Sequence, residues 1–464
     1  MRNVQNTGLT HDPLHGYIPF TSGPVGETSE RDLIDHPWMQ RLRQIHQLQT
    51  AWWVYPTAEH TRFQHVLGVM HVASRAAAAL YESLAVVCPD TPSQAYVESL
   101  LRLSGLLHDV GHGPFGHFFD EHFLSRFGET HETIGSRIIC NELAPLIRGI
   151  RATPNGRLQD AERMDPAQIA YVITRPTAND SGSGQPRWLR FLRSLFCGLY
   201  TVDNMDFVLR DAYMSGYSLS AFDLDRLLYY SYFSESGLTI HDRGVPALVR
   251  FVSARAELFR AVYFHRTVRA IDLTLADLFA ESGDFLFPGN PLDHLDQYQR
   301  FTEWSLLVDV ARWADRPEVA ARSLGERWRD LLGRKLRWRM ACERTVFFDP
   351  AAAEQSSIFS RVEFFESALR GSLPVEARDI PLRVDLARHV NRPGTKGPAS
   401  GQNFLFDSAR DSITPLADAD LFRRIPLSYR ICRVYAQTHE HDAVLAAALD
   451  ALVGPSAVDD RTNM

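Results

Sequence analysis

Histidine and aspartate residues are concentrated between Glu59 and Asp120. This stretch contains EHTRFQH and then LLHDVGHGPFGHFFD, and its candidate ligands and acid–base groups are His65, His108, Asp109, His112, His117 and Asp120. Imidazole and carboxylate groups suit Fe, Mn, Zn or Ni, whereas a closed structural zinc site would usually include cysteine, which is missing here. We therefore predict an open, catalytic metal site of the kind that hydrolyses phosphate esters.

The flanking pattern indicates how these side chains are positioned. Leucines at helical spacing in SLLRLSGLLHD (99–109) predict a helix with one side packed into a core. The glycines and proline of GHGPFG (111–116) prevent its continuation, so we expect it to end near Gly111. The turn would bring His112 and His117 back toward the helix end. A lone histidine there would more often be a satisfied structural residue, but six such residues favour a site.

A mononuclear site needs one more carboxylate from a distant element. The segment LYTVDNMDFVLRDAYMSG (199–216) offers Asp203, Asp206 and Asp211 on an otherwise apolar helical pattern. Asp203 and Asp206 share a face, whereas Asp211 is rotated from Asp203 by roughly 80°, at about 100° per residue. Acids on a buried stripe are costly unless they are paired or bind a cation. We predict that Asp203 is the ligand and that Asp206 or Asp211 pairs with Arg210 or another cation.

These residues and several sequence blocks carry a family resemblance. The set His65, His108–Asp109 and Asp203 resembles the four-ligand signature of the HD-domain phosphohydrolases. Blocks similar to those of the deoxynucleoside triphosphate (dNTP) triphosphohydrolases within that superfamily are DPLHG (12–16), RLRQIHQL (41–48), YPTAEHTRFQHVLG (55–68), HDVGHGPFGHFFD (108–120), THE (130–132), RAELFRAVYFHR (255–266) and RVYAQ (433–437). The resemblance implies a mainly α protein with a helical HD core that hydrolyses dNTP to deoxynucleoside and triphosphate.

The resemblance also assigns roles residue by residue. The metal ligands that it implies are His65, His108, Asp109 and Asp203. The catalytic group that it implies is His117, backed by Asp120 and His131, with His112 beside it in contact with phosphate. It implies that Arg62 and Arg255 clamp the triphosphate. Gln47 and Asp211 would contact the 3′-OH of the sugar, and Leu48 would crowd the 2′ position. The ring of Tyr263 would lie under the ribose.

Cofactor and partners follow from the same resemblance. One divalent transition metal is expected, with Fe, Mn, Zn and Ni not distinguished, and Mg²⁺ could accompany the substrate phosphates. A nucleotide substrate and a homo-oligomer, dimer or higher, are implied.

Departures from the family pattern keep alternatives open. Where the family has a lysine and a tyrosine beside phosphate, this chain has Asn204 and Phe207; Phe264 and Thr201 replace a glutamine and an aspartate. Two phosphate contacts are thereby weakened. A shorter-chain or modified nucleotide, or nucleotide sensing with little turnover, remains an alternative. So does an HD-fold oxygenase with two irons, in which His112, His117 and His131 would bind the second ion and the clamp arginines would have no task.

Composition narrows the class of protein. A net charge of −7 with mixed signs argues against a dedicated nucleic-acid surface. No run approaches the ~18 apolar residues of a membrane span, and the N-terminus lacks an apolar leader. Five scattered cysteines without a CxxC motif fit a reducing compartment. We expect a soluble, cytoplasmic protein that does not bind membranes.

The positions of Gly- and Pro-rich segments and a change in residue pattern predict two structural regions. Residues 1–360 are expected to form the helical HD core, with a mobile Gly/Ser/Pro loop near 177–187 and helices through 301–345. Residues 361–464 are expected to form a small α+β subdomain, because PLRVDLARHV and RRIPLSYRICRVYAQ contain β-branched, partly alternating runs. An Ala/Leu helix at 442–453 would close it.

Overall fold

The computed structural model describes residues 6–24, 26–175, 184–347, 361–390, 403–416 and 428–455. Most of the predicted mobile loop, residues 177–183, lies outside the described residues. The described chain is mainly α, as predicted. None of the described helices combines the length and apolar character needed to cross a lipid bilayer.

The regular elements are numbered along the chain. The helices are α1 Glu30–Ile34, α2 Pro37–Gln40, α3 Arg62–Val87, α4 Gln94–Leu107, α5 His117–His122, α6 His131–Arg137, α7 Ala144–Gly149, α8 Pro166–Ile173, α9 Arg187–Arg193, α10 Val202–Met214, α11 Leu224–Tyr229, α12 Val245–Leu258, α13 Arg266–Leu286, α14 Leu295–Arg300, α15 Glu303–Trp313, α16 Val319–Leu332, α17 Val362–Ser372 and α18 Asp442–Val453. The strands are β1 Thr7–Asp12, β2 Gly16–Thr21, β3 Ser231–Ser234, β4 Gly237–His241, β5 Arg339–Phe347, β6 Leu382–Val390, β7 Asn403–Asp407, β8 Ser412–Pro415 and β9 Ser428–Ala436.

The chain divides into two compact units. The first comprises the described residues within Met1–Leu258, Gly283–Asp309 and Pro393–Ala419, and the second those within Phe259–Ser282, Val310–Arg392 and Asp420–Met464. Each unit thus combines segments that are distant in sequence. The division into 1–360 and 361–464 stays a prediction.

Two long helices form the centre of the first unit. Helix α3 begins with a capping box in which Thr61 and Gln64 satisfy each other's backbone N–H groups. Helix α4 is buried along almost its whole length and packs against α3. Gly105 permits this close approach, because a Cβ there would lie 3.0 Å from the backbone of Val69 and Met70. Helix α4 ends at Leu107, earlier than the predicted end near Gly111, and residues 108–111 form a turn.

The first unit also contains a hairpin and a small sheet, of which β2 and β3 contact α3. Strands β1 and β2 form an antiparallel hairpin whose turn lies between Asp12 and Gly16. A four-stranded sheet has the order β3-β4-β7-β8, with β4 and β7 parallel and the other pairs antiparallel.

The second unit is built on an antiparallel sheet with the order β5-β9-β6. Helices α17 and α18 supply apolar side chains, including Phe365, Leu369 and Leu445, to the same core as Val434 of the central strand. The predicted strands and the helix at 442–453 are therefore present. The prediction of helix throughout 301–345 is wrong from Arg339 onward, since that segment pairs along its length with β9.

Candidate active site

Three helices of the first unit position the predicted metal ligands. His65 lies in the first turns of α3, His108 is the C-cap residue of α4, and Asp109 follows it in the turn. Asp203 lies in the first turn of α10, whose N-cap Thr201 accepts a hydrogen bond from the backbone N–H of Asn204. The helix termini therefore hold all four side chains on structured backbone.

The four side chains converge as the sequence predicts. The ligand atoms of His65, His108 and Asp109 all lie within 4.8 Å of one another. Asp203 Oδ1 lies 3.1 Å from Nε2 of His65 and 3.8 Å from Nε2 of His108. The Nε2 atom of His108 also lies 3.4 Å from Asp109 Oδ1.

The hydrogen bonds made by Nδ1 of His65 and His108 indicate that Nε2 is the nitrogen that could bind a metal. His108 Nδ1 donates to the carbonyl of Gly105 at 2.8 Å, and His65 Nδ1 lies 2.9 Å from Asp206 Oδ2. Both contacts require hydrogen on Nδ1, which leaves the Nε2 lone pairs directed at the two carboxylates. Nε2 of His108 is buried and has no hydrogen-bond partner in the described part of the chain. Two imidazoles and two carboxylates fit a divalent transition metal.

The electrostatics of His65 also favour a positive charge at this point. Burial lowers the pKa of its imidazole, but the hydrogen bonds and negative charges of Asp203 and Asp206 outweigh burial and raise the pKa to about 10. The space between His65 and Asp203 therefore stabilises a cation, which is either a proton or a metal ion.

A second cluster, the relay cluster, contains His112, His117, Asp120 and His131. Asp120 Oδ2 accepts a hydrogen bond from Nδ1 of His131 and lies 3.4 Å from Nδ1 of His117. The ring of His112 stacks on that of His131, with centroids 3.7 Å apart. Burial raises the pKa of Asp120, but the two histidines hydrogen-bonded to it reverse that effect and hold the pKa well below its usual range. Asp120 is thus a carboxylate that orients imidazoles.

Asp109 connects the metal ligands to the relay cluster. Its Oδ1 lies 3.3 Å from Nε2 of His112, and its Oδ2 accepts a 2.6 Å hydrogen bond from Nη1 of Arg62. Arg62 and Asp109 are both buried. Burial raises the pKa of Asp109, yet the neighbouring His108 imidazole and the Arg62 guanidinium keep it well below its usual range. Arg62, predicted to clamp phosphate, therefore lies against a metal ligand.

Arg255 on α12 is the other predicted clamp residue. Its Nη1 donates to the carbonyl of Leu199 at 3.2 Å, and its Nε is buried with no partner in the described part of the chain. Burial lowers the pKa of Arg255 to about 10, while the negative charge of Asp203 acts in the opposite direction. A buried guanidinium with an unsatisfied N–H is suited to bind an anion.

The predicted sugar-reading residues lie in the first unit except for one. Gln47 Oε1 is buried with no partner among the described residues, and Leu48 is 2% exposed. Asp211 Oδ1 lies 2.7 Å from Nε2 of His60, a partner that the sequence did not indicate. Tyr263 belongs to the second unit, where its ring lies 4.6 Å from that of Phe259. The substrate contacts of all four stay predictions.

The residues that support the site were predicted only in part: Asp206 pairs with Arg210, one of the pairings left open, whereas His15 and Glu303 were not expected there. Asp206 lies on the far side of His65, where Arg210 and His15 bind it. The sequence signal for Asp206 and Arg210 was their spacing of four residues on a buried helical stripe. The signal for His15 was the block DPLHG, which served only as evidence of the family resemblance. Glu303, fully buried, lies 2.7 Å from Nδ1 of His46 and gave no local signal.

Comparisons with known proteins agree with this geometry. A family model described as the HD domain matches residues 62–169, which include three of the four predicted metal ligands and the relay cluster. The chain is 26% identical to the uncharacterized protein YwfO of Bacillus subtilis, over 82% of this chain and 81% of that protein.

Relatives with a described activity match over a shorter stretch. The chain is 30% identical to deoxynucleoside triphosphate triphosphohydrolase SAMHD1 of Bos taurus, over 61% of this chain and 49% of that protein. It is 26% identical to the SAMHD1 homolog of Dictyostelium discoideum, over 61% of this chain and 51% of that protein. The chain therefore spans about half the length of these two relatives. The predicted resemblance to HD-domain triphosphohydrolases is confirmed.

A solved structure shows the same fold. The crystal structure of a hypothetical protein from Aquifex aeolicus matches with a TM-score of 0.66 and 23% identity, covering 96% of this chain and 100% of that chain.

Proposed function

The chain carries an HD domain, and we propose that it is a metal-dependent phosphohydrolase that converts dNTP to deoxynucleoside and triphosphate. One observation carries the proposal: the cluster of His65, His108, Asp109 and Asp203 connects through Asp109 to the relay cluster. A metal site alone would fit many proteins. A metal site that adjoins a carboxylate-oriented histidine group fits hydrolysis, and the similarity to triphosphohydrolases from two organisms supports dNTP as the substrate.

Phosphoryl transfer needs substrate positioning and neutralisation of spread negative charge. A divalent cation held by the four ligands would polarise a phosphate oxygen and acidify a water molecule. Arg62 and Arg255 would bind the phosphate chain, since each has a buried Nε without a partner in the described residues. Mg²⁺ accompanying the phosphates is part of the proposal.

Proton transfer is assigned to the relay cluster. Hydrolysis breaks the bond between the α-phosphorus and the 5′ oxygen, and that oxygen must gain a proton as the deoxynucleoside leaves. His117 is the most exposed member of the cluster, at 63% of its side chain, so it can reach substrate. Asp120 would orient His117 and stabilise its charged form, and His131 would hold Asp120 in place.

The sugar would be read by residues near the start of α3 and on α10. We assign Gln47 and Asp211 to the 3′-OH and Leu48 to the 2′ position. Oε1 of Gln47 is buried without a partner among the described residues, which supports this assignment because a hydroxyl donor would satisfy it.

The direct test is hydrolysis by purified protein with each of the four dNTPs, Mn²⁺ and Mg²⁺. Deoxynucleoside and tripolyphosphate are the expected products. Deoxynucleoside di- and monophosphates should also be tested as substrates. Asn204 and Phe207 replace residues that contact phosphate in the family, so a shorter phosphate chain is an alternative. If no nucleotide of any phosphate length is consumed, the proposed function is wrong. Tight nucleotide binding without product would instead identify a nucleotide sensor.

A two-iron oxygenase is the second candidate, and the relay cluster is the observation that favours it. Its four potential ligands lie within 4.8 Å of one another, and Asp109 lies between the two clusters. Elemental analysis separates the candidates. Two irons per chain would favour the oxygenase, and one metal ion per chain would favour the phosphohydrolase.

A further inference from the structure

A second carboxylate lies behind the metal ligand His65. Asp206 Oδ2 lies 2.9 Å from Nδ1 of His65, on the side opposite to the 3.1 Å contact between Nε2 and Asp203. Both His65 and Asp206 are almost completely buried. A carboxylate on Nδ1 holds the hydrogen there and keeps Nε2 free to bind a cation.

Asp206 is itself held from two directions. Arg210 binds it with both prongs of its guanidinium, Nε to Oδ2 at 2.8 Å and Nη2 to Oδ1 at 2.9 Å. The remaining donor is His15, whose Nε2 lies 2.7 Å from Oδ1. Asp206 therefore has three partners, and its carboxylate plane has little freedom to rotate.

The turn of the N-terminal hairpin completes this network. Asp12 Oδ2 accepts a 2.8 Å hydrogen bond from Nη1 of Arg210. Its other oxygen accepts from the backbone N–H groups of Leu14 and His15, at 2.9 and 3.0 Å, which fixes the position of His15. The block DPLHG, which the proposed chemistry does not use, thus contacts the residue behind the metal ligand.

Space for the network depends on the backbone of α3. A Cβ at Gly68 would lie 2.0 Å from Asp206 Oδ1 and 2.3 Å from Nη2 of Arg210. Both are atoms of a buried ion pair, so neither can move aside cheaply. Glycine at this position lets α10 approach α3 closely enough for Asp206 to reach His65.

We propose that Asp206 is a positioning residue of the metal centre and that the N-terminal turn, through Asp12 and His15, sets the affinity of the centre for its metal. Asp206 does not bind the metal. It fixes the tautomer and ring orientation of His65, and Arg210, Asp12 and His15 fix Asp206. The proposal rests on the metal centre of the proposed function and is independent of the substrate.

The test measures metal affinity rather than turnover. Metal-free full-length protein is titrated with Mn²⁺, and free Mn²⁺ is followed by electron paramagnetic resonance. Asp206→Asn should bind Mn²⁺ about 10- to 100-fold more weakly than wild type, the usual effect of losing such a partner. The matched control is Glu98→Gln, another buried carboxylate of the first unit, which accepts hydrogen bonds from Ser74 and Thr153. It should bind Mn²⁺ as wild type does.

Two further variants keep the proposal testable should Asp206→Asn fail to fold. Asp12→Asn and His15→Gln lie outside the ligand set and should each weaken Mn²⁺ binding by a smaller factor. Unchanged affinity in both variants, or in a folded Asp206→Asn, would overturn the positioning role. Failure of the wild-type protein to bind Mn²⁺ would overturn the metal centre as well. Lack of dNTP hydrolysis with intact Mn²⁺ binding would count against the substrate alone.

Discussion

Asp120 and His131 are joined by a direct hydrogen bond from Nδ1 of the imidazole to Oδ2 of the carboxylate, and the same oxygen faces His117. One carboxylate therefore serves two imidazoles. His131 is largely buried, whereas the side chain of His117 is 63% exposed. This difference supports the proposed roles, in which His117 delivers the proton and the buried pair orients it.

Asp120→Asn should lower kcat by about 10²- to 10⁴-fold, because the histidines lose the charge that stabilises their protonated forms. Metal content should not change, since Asp120 is not one of the four proposed metal ligands. Steady-state kinetics with dNTP and elemental analysis of the same preparation provide the measurement. Glu121→Gln, an exposed neighbour on α5, is the control. Loss of metal from Asp120→Asn would place this carboxylate in a metal site instead.

Asp203→Ala should remove the metal and abolish hydrolysis, because a distant carboxylate completes a set of three other ligands. Metal occupancy is measured by elemental analysis after dialysis. Asp225→Ala, an exposed aspartate that pairs with Arg75, should retain the metal. Full metal occupancy in Asp203→Ala would mean that another acid is the ligand.

Leu48→Ala should reduce the preference for deoxyribose. A ribonucleotide in the proposed pocket would bury an unpaired 2′-OH beside Leu48, which costs roughly 1–3 kcal/mol and gives on the order of tenfold to a hundredfold selectivity. The measurement is the ratio of kcat/KM for dATP and ATP. Because Leu48 is buried, its truncation also destabilises the protein, so Leu42→Ala serves as a buried control with an unchanged ratio. Equal wild-type turnover of dATP and ATP would contradict the pocket assignment.

The ionisation of His46 should make the free energy of unfolding depend on pH. Burial lowers the pKa of its imidazole, but Glu303 at 2.7 Å and Glu59 at 3.1 Å outweigh burial and raise the pKa above 6.5. A raised pKa in the folded state means that the stabilisation is complete below pH 6.5 and is lost as pH rises through the folded-state value.

Replacement of His46 by Gln should therefore cost about 1.5–3 kcal/mol at pH 6, the range for hydrogen bonds to charged groups, and less at pH 9. The free energy of unfolding from urea titrations at both pH values provides the comparison. His439→Gln, an exposed histidine that pairs with Asp442, is the control. A His46→Gln cost that is equal at pH 6 and pH 9 would show that the imidazole is not charged in the folded protein.

The sequence alone indicated the chemistry and the class of fold. His65, His108 and Asp109 belong to short motifs at helix ends, and the resemblance to the HD-domain phosphohydrolases implied that they share one site. Glycine punctuation predicted only that His112 and His117 turn back toward His108 and Asp109. The HD resemblance and the strands near the C-terminus could likewise be predicted, because each depends on residues that are close in the chain.

Tertiary structure decided what periodicity could not distinguish. Asp203 and Asp206 share a face of one helix, and only the position of the His65 ring between them separates a potential ligand from its supporting carboxylate. The pairs His15–Asp206 and His46–Glu303 join segments far apart in sequence, so no spacing rule predicts them. Strand β5 is a further example, because Arg339–Phe347 forms a strand by pairing with β9, which is distant in sequence. In each case the stabilising partner is brought close only by folding.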